Sequence, residues 1–215
     1  GNAIAFDPGF NGTGPNQGVA YLSIGGGRRH LEDAATGNYI NGQNAGAIIN
    51  FATATTTWRG MAFDPATGDL YTRESNRVGK AVRNGDNSFV APATQIFLTV
   101  AASTVDQQNI SFVNSTDFGN FLIFNDRSVA TAGQAFSSVV KVISTSGAAM
   151  TLNFPNADFS PASGNGAYSF SFDAGTQTLA VTDFANRQLH IFAVPTPGSL
   201  ALLGLGGLAA MRRRR

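Results

Sequence analysis

Cysteine is absent from this 215-residue chain. Its absence removes disulfide frameworks, thiolate metal sites, iron–sulfur ligation and cysteine nucleophiles together. It leaves the compartment open, because a cysteine-free chain is compatible with export without requiring it. Charge is scarce too: 13% of residues are charged, against about a quarter in an ordinary globular domain. With 43% hydrophobic residues the chain is not of disordered composition, so Asn, Ser, Thr, Gln and Gly must cover the surface. Only two Glu and two Lys are present, beside 25 Gly and 17 Phe. Surface helices draw on Glu, Lys and Leu, whereas Gly and Thr serve turns and strands, so a helical bundle is excluded and an all-β fold is expected. The length suits one large domain or two small ones.

The formal charge of +1 conceals an asymmetry. Arg212, Arg213, Arg214 and Arg215 close the chain, and without them ten basic residues face thirteen acidic ones, a formal −3. No basic face for nucleic acid survives, and no nucleic-acid partner is expected. The chain opens at Gly1 with no charged-then-apolar leader ahead of it, which reads as a processed end or a fragment boundary.

Weak internal repetition runs through the body. Ile4-Ala-Phe-Asp-Pro8 resembles Met61-Ala-Phe-Asp-Pro65, and Phe170-Ser-Phe-Asp173 repeats the apolar-x-Phe-Asp element. The stretch from Met61 to Arg77 aligns with that from Phe170 to Arg187, with one residue inserted before the Asn-Arg pair. A degenerate third copy is Ile110-Ser-Phe-Val-Asn114 followed by Gly119-Asn-Phe-Leu-Ile-Phe-Asn-Asp126. The anchors Phe6, Phe63, Phe112 and Phe172 stand 57, 49 and 60 residues apart, a spacing for four-stranded sheets with loose loops. Within each copy, alternating strands flank a turn such as Asp-Pro-Ala-Thr-Gly-Asp at 64–69. A third strand, Gln188-Leu-His-Ile-Phe-Ala-Val194, places Leu189, Ile191 and Ala193 on one face and His190, Phe192 and Val194 on the other. Both faces are apolar, which predicts a strand covered on both sides. The run Phe121-Leu-Ile-Phe124 predicts the same.

This Phe-Asp, turn, Leu-x-Val-x-Asp and Asn-Arg pattern resembles the blade repeats of NHL-type and related β-propellers over residues 4–194. The resemblance implies antiparallel four-stranded sheets around a central channel. Four copies make a small ring, so the body over 1–193 is expected to be an incomplete one, with N-terminal blades missing. An ordinary β-sandwich stays open as the alternative.

Residues 194–215 have three parts in order. Pro195, Thr196, Pro197 and Gly198 break the preceding strand, since neither proline can donate to a ladder. An uncharged apolar stretch, 199–211, would span about 20 Å as a helix, short of a bilayer core of about 30 Å unless arginine stems snorkel. Then comes the arginine block, which stays cytoplasmic by the positive-inside rule. In order, spacing and terminal position this tail resembles the PEP-CTERM sorting signal of exported Gram-negative surface proteins, with Thr196 where that family has a central Glu. The resemblance implies processing by an exosortase, an inner-membrane-anchored intermediate with a C-terminal transmembrane helix, a final place at the cell surface or outside the cell, and an exopolysaccharide or biofilm setting.

Catalytic motifs are missing. His30 and His190 belong to no close ligand spacing, there is no Gly-x-Ser-x-Gly elbow, and Gly25-Gly-Gly27 precedes no Lys-Ser/Thr, so it reads as a hairpin tip. Asp64, Asp69, Glu74, Asp173 and Asp183 could feed a channel-mouth metal site, but Asp64 and Asp173 stand beside turns, where aspartate usually bonds its own backbone. Asn76-Arg77 and Asn186-Arg187 read as turn contacts, and the sequons at Asn11, Asn109 and Asn114 carry little weight in so Asn- and Thr-rich a chain. No catalytic, metal or cofactor-binding residue is assigned. The expectation is an exported, non-enzymatic binding or structural protein, with polysaccharide as one candidate ligand. A propeller lyase or lactonase with a metal at the channel mouth is the alternative.

Overall fold

The computed structural model describes residues 4–9, 19–23, 27–30, 60–73, 77–85, 89, 96–99, 109–116, 118–125, 140–152, 168–183 and 187–194. Among them the protein is all-β and antiparallel, with no helix. The tail residues Pro195, Thr196, Pro197, Gly198 and Arg212 to Arg215, and the helix expected over 199–211, lie outside the described residues.

Thirteen strands form four sheets that follow one another along the chain. The first holds β1 (Ile4–Asp7), β2 (Val19–Ser23) and β3 (Gly27–His30). The second holds β4 (Gly60–Phe63), β5 (Leu70–Arg73), β6 (Arg77–Ala81) and β7 (Ile96–Thr99). The third holds β8 (Ile110–Ser115), β9 (Gly119–Asn125) and β10 (Val140–Ser144). The fourth holds β11 (Tyr168–Asp173), β12 (Thr178–Asp183) and β13 (Gln188–Ala193). Each is a simple meander. Four strands, the number expected of every sheet, occur among the described residues only in the second.

The repeat fixes where each sheet begins. Phe6, Phe63, Phe112 and Phe172 all lie on the first strand of their sheet, opposite Ala20, Leu70, Leu122 and Leu179 respectively. Those first strands are neighbours in space: β1 lies beside β4, β4 beside β8, and β8 beside β11. Successive sheets are therefore stacked face to face, with their first strands together.

Alternation of side chains along a strand then decides which residues meet. On β8 and β9, Ile110, Phe112, Leu122 and Phe124 turn toward the second sheet and join Ala62, Tyr71 and Val78 in one core cluster. The opposite set, Val113, Phe121 and Ile123 with Val140 and Val142 of β10, joins Phe170, Leu179 and Val181 of the fourth sheet. The run 121–124 is fully buried, as its uninterrupted apolar character predicts. Aromatic edges add shape to the second-to-third interface: Tyr71 meets Phe97 edge-on and lies against Phe112, with ring centroids 5.6 and 6.0 Å away.

One expectation fails. β13 is not covered on both sides: Phe192 and Val194 pack toward the third sheet, but Leu189 and Ile191 are exposed. Nothing among the described residues stacks on that face, so a strand with two apolar faces has one in water.

Because 121–124 serves two interfaces, truncation on either side should be costly. Phe121→Ala and Phe124→Ala should each lower stability by about 3–5 kcal/mol, read as a fall in the urea midpoint, while Lys141→Ala at an exposed place on β10 should stay within about 0.5 kcal/mol of the parent.

Candidate functional site

The acids that recur in the sequence come to one kind of place, the end of a first strand, and each is used there. Asp7 Oδ1 accepts the Gly9 amide at 2.8 Å. Asp64 Oδ1 accepts the amides of Ala66 at 2.9 Å and Thr67 at 3.4 Å. Asp173 Oδ1 accepts the Gly175 amide at 2.9 Å, and its Oδ2 accepts the Thr176 hydroxyl at 2.7 Å. All three are aspartates folding the turn that follows them. The hydrogen bond from Thr176, with the Gly175 amide second, holds the Asp173 carboxyl below its ordinary range. The third sheet has Val113 at this position, and there Ser115 Oγ accepts the Phe118 amide instead.

The turns also share a backbone feature. Gly68 and Gln177, both five residues beyond the anchoring phenylalanine, have φ of +79° and +52°. Each touches the preceding sheet. A β-carbon on Gly68 would collide with the Gly9 carbonyl oxygen, which is why glycine is required there. Gln177 adopts the left-handed conformation with a side chain, and uses it: its Oε1 accepts the Thr116 amide at 3.1 Å and its Nε2 donates to Asn114 O at 3.2 Å. Both partners belong to the β8–β9 hairpin of the third sheet.

At the joint between the first and second sheets the bridge is ionic. Arg83 Nη2 pairs with Asp7 Oδ1 at 2.5 Å, and both side chains are fully buried. Arg83 also donates from Nε to Gly68 O at 2.9 Å, and its amide is accepted by Asp69 Oδ1 at 2.9 Å. Its guanidinium lies over Phe89 and Phe63, 4.4 and 5.7 Å from the ring centroids. Asp69 in turn holds Lys80, with Oδ2 3.1 Å from Nζ, and Lys80 stands over the Tyr71 ring at 5.3 Å. Burial, the largest single influence on Lys80, lowers its pKa, but the hydrogen bonds and charges of Asp69 and Tyr71 together outweigh it and the net direction is up. Burial pushes the Tyr71 hydroxyl up as well.

The remaining candidates disperse. Asp183 is buried on β12, and Glu74, Asn76 and Asn186 lie outside the described residues. The arginines of the two Asn-Arg pairs are not equivalent: Arg77 is buried in β6, where its carbonyl accepts Arg73 Nη1 at 3.4 Å, whereas Arg187 is exposed in a turn with φ +55°. His190 stacks on Phe192 at 6.4 Å and shares a hydrogen bond with Gln188 Oε1 at 3.2 Å. His30 ends β3, which Gly27 begins, while Gly25 and Gly26, expected at a hairpin tip, lie outside the described residues. No group of three or more His, Asp or Glu among the described residues is placed to hold a metal. Sequence reasoning missed Arg83, because an arginine in Arg-Asn-Gly-Asp after a strand reads as solvated. Only the apolar neighbours that burial gives it, Phe63 and Phe89, mark it as internal.

This cluster acts mechanically: it ties two sheets with a buried cation and a buried anion. Removing one partner leaves the other charge uncompensated, so Asp7→Ala should cost about 3–5 kcal/mol, while the double change Asp7→Leu with Arg83→Met should recover much of that loss in denaturant titrations. A second outcome concerns alkali. Lys80 and Tyr71 both have folded pKa values raised above their unfolded ones. Their contribution is therefore fully present below the unfolded values and is lost as pH rises through the folded ones. The urea midpoint should fall above about pH 10, and Lys80→Met should flatten that slope.

Comparison with known proteins assigns no family: no family model matches the chain, and no curated protein matches it.

Proposed function

We propose that the chain is an exported protein of the cell surface or extracellular matrix. In this reading a propeller-like β body performs a non-enzymatic binding or structural role, and the C-terminal tail sorts it through an exosortase at the inner membrane. The observation that carries the reading is the order of the tail's parts: Pro195, Thr196, Pro197 and Gly198, then the uncharged stretch 199–211, then Arg212, Arg213, Arg214 and Arg215. A helix apolar all round has no side to offer water and must be buried in protein or lipid. Lipid accounts for the prolines, the apolar run and the arginine block together, with the body outside and the arginines inside.

The propeller-like reading of the body is supported by four antiparallel meanders in chain order with their first strands adjacent. It is supported further by the recurrence of one phenylalanine position and one aspartate turn. A surface covered by neutral polar side chains suits contact with polysaccharide, which is recognised through hydrogen bonds and aromatic faces rather than through net charge. The lyase or lactonase alternative would need several acids free to converge on one cation. Asp7, Asp64 and Asp173 instead hold their own turns.

Replacement of Arg212, Arg213, Arg214 and Arg215 by Ser should release the protein from the envelope or change its mature mass in a host that carries an exosortase. Cell fractionation and intact-mass measurement read the result. Unchanged localisation together with unchanged mass would overturn the sorting assignment.

A further inference from the structure

Three of the large apolar side chains described lie mostly in water: Phe6 at 69% exposure, Leu189 at 62% and Ile191 at 60%. They sit on the two terminal faces of the stack. Their placement follows from the repeat. Phe112 packs into the cluster that holds Ala62, Tyr71 and Val78 of the sheet before it, and Phe172 packs on the cluster that holds Val113, Phe121 and Ile123 of the sheet before it. Phe63 stands on the side of β4 opposite Ala62, beneath the Arg83 guanidinium that reaches Asp7 of the first sheet. The anchoring phenylalanine therefore points backward, at the preceding sheet, in all three cases.

Phe6 occupies the same position in β1. Its neighbour Asp7 faces the second sheet through Arg83, so alternation turns Phe6 the other way, toward a preceding sheet that the described residues do not supply. At the far end, β13 turns Phe192 toward the third sheet and Leu189 and Ile191 outward. Beside them on that outward face stand the short side chains Ser171, Ala180 and Thr182, because Ala180 pairs with Ser171 and Ile191, and Thr182 with Leu189. Short residues bordered on one side by Leu189 and Ile191 leave room for a phenylalanine ring. One terminal face is thus the forward half of the inter-sheet contact and the other is its backward half.

We propose that two copies of this chain associate head to tail, the outward face of the fourth sheet of each copy covering Phe6 of the other. Contacts between unlike patches close when the rotation per unit permits and otherwise propagate. The four described sheets of each of two copies together make eight, within the range of known rings. Each copy covers the face that the other's described residues leave open, so the closed pair leaves neither of these faces exposed. The association does not depend on the fate of the tail.

The chain's lack of cysteine makes the test direct. The full chain, kept soluble in neutral detergent, should sediment as a species of twice the chain mass. Phe6→Ser, and Leu189→Ser with Ile191→Ser, should each raise its dissociation constant by roughly tenfold or more, with unchanged circular dichroism. Full chains bearing Phe6→Cys and Ile191→Cys should cross-link when mixed and not when either is oxidised alone. A single-chain mass at every concentration would overturn the proposal. So would a pair insensitive to these substitutions, as a tail-driven or detergent-driven one would be, or Phe6→Cys chains linking to one another, or growth to masses beyond two copies.

Discussion

Strand β9 carries Phe121-Leu-Ile-Phe124 through the middle of the molecule, and successive side chains of a strand must point to opposite faces. Phe121 and Ile123 serve one core cluster while Leu122 and Phe124 serve the other. A sheet so constituted cannot tolerate water on either side, because fully burying each such residue is worth about 1.5–3 kcal/mol relative to leaving it exposed. The third sheet therefore requires a neighbour on both faces, and the second and fourth sheets take their positions from that requirement. With 17 phenylalanines and little charge, the chain builds its core from such layers rather than from helix stripes.

The layers stay in register through the turns that end their first strands. Those turns meet two needs at once: the aspartate side chain satisfies the amides that the chain reversal leaves unpaired, and the left-handed residue brings the turn against the preceding sheet. Gly68 achieves the approach by having no side chain, and Gln177 by having one that donates and accepts across the gap. A single structural position is thus filled by opposite chemical solutions, each consistent with its own neighbour.

What the sequence discloses about this arrangement follows from which signals are local. The Phe-Asp element marks first strands because both its residues act within a few positions of themselves: Phe63 and Phe172 by alternation, Asp64 and Asp173 by bonding amides two residues on. The two-sided burial of 121–124 is equally local, since an uninterrupted apolar strand has nowhere else to go. Arg83 could not be read, because its meaning depends on Asp7, 76 residues away, and on Phe89 across an isolated bridge. The equivalence inferred for Arg77 and Arg187 fails for the same reason. The two arginines lie at different depths, Arg77 inside β6 and Arg187 in an exposed turn before β13. In β13 apolar residues on both faces do not bring a cover to both faces, because hydrophobicity records what a face is suited to and not what it meets among the described residues.

Charge is scarce on the surface, and part of what the chain has lies in the interior. Asp7, Asp64, Asp69, Arg73, Arg77, Arg83 and Asp183 are all buried. With seven charged residues buried among those described, the sheets use charge at their internal joints as well as on their surface. Burying a charge is costly unless it is paired and hydrogen-bonded, which is why these groups occur in linked sets such as Asp7, Arg83 and Asp69 rather than singly. The comparison of two joints shows what ionic pairing adds. Between the third and fourth sheets a neutral amide suffices, because deep apolar contact around Phe121 and Phe170 already holds the faces together. Between the first and second sheets the described contacts are carried by Asp7, Gly9, Gly68 and Arg83. There a pair that is strongly destabilising when half of it is lost fixes the geometry of a joint for which no comparable apolar cluster is described.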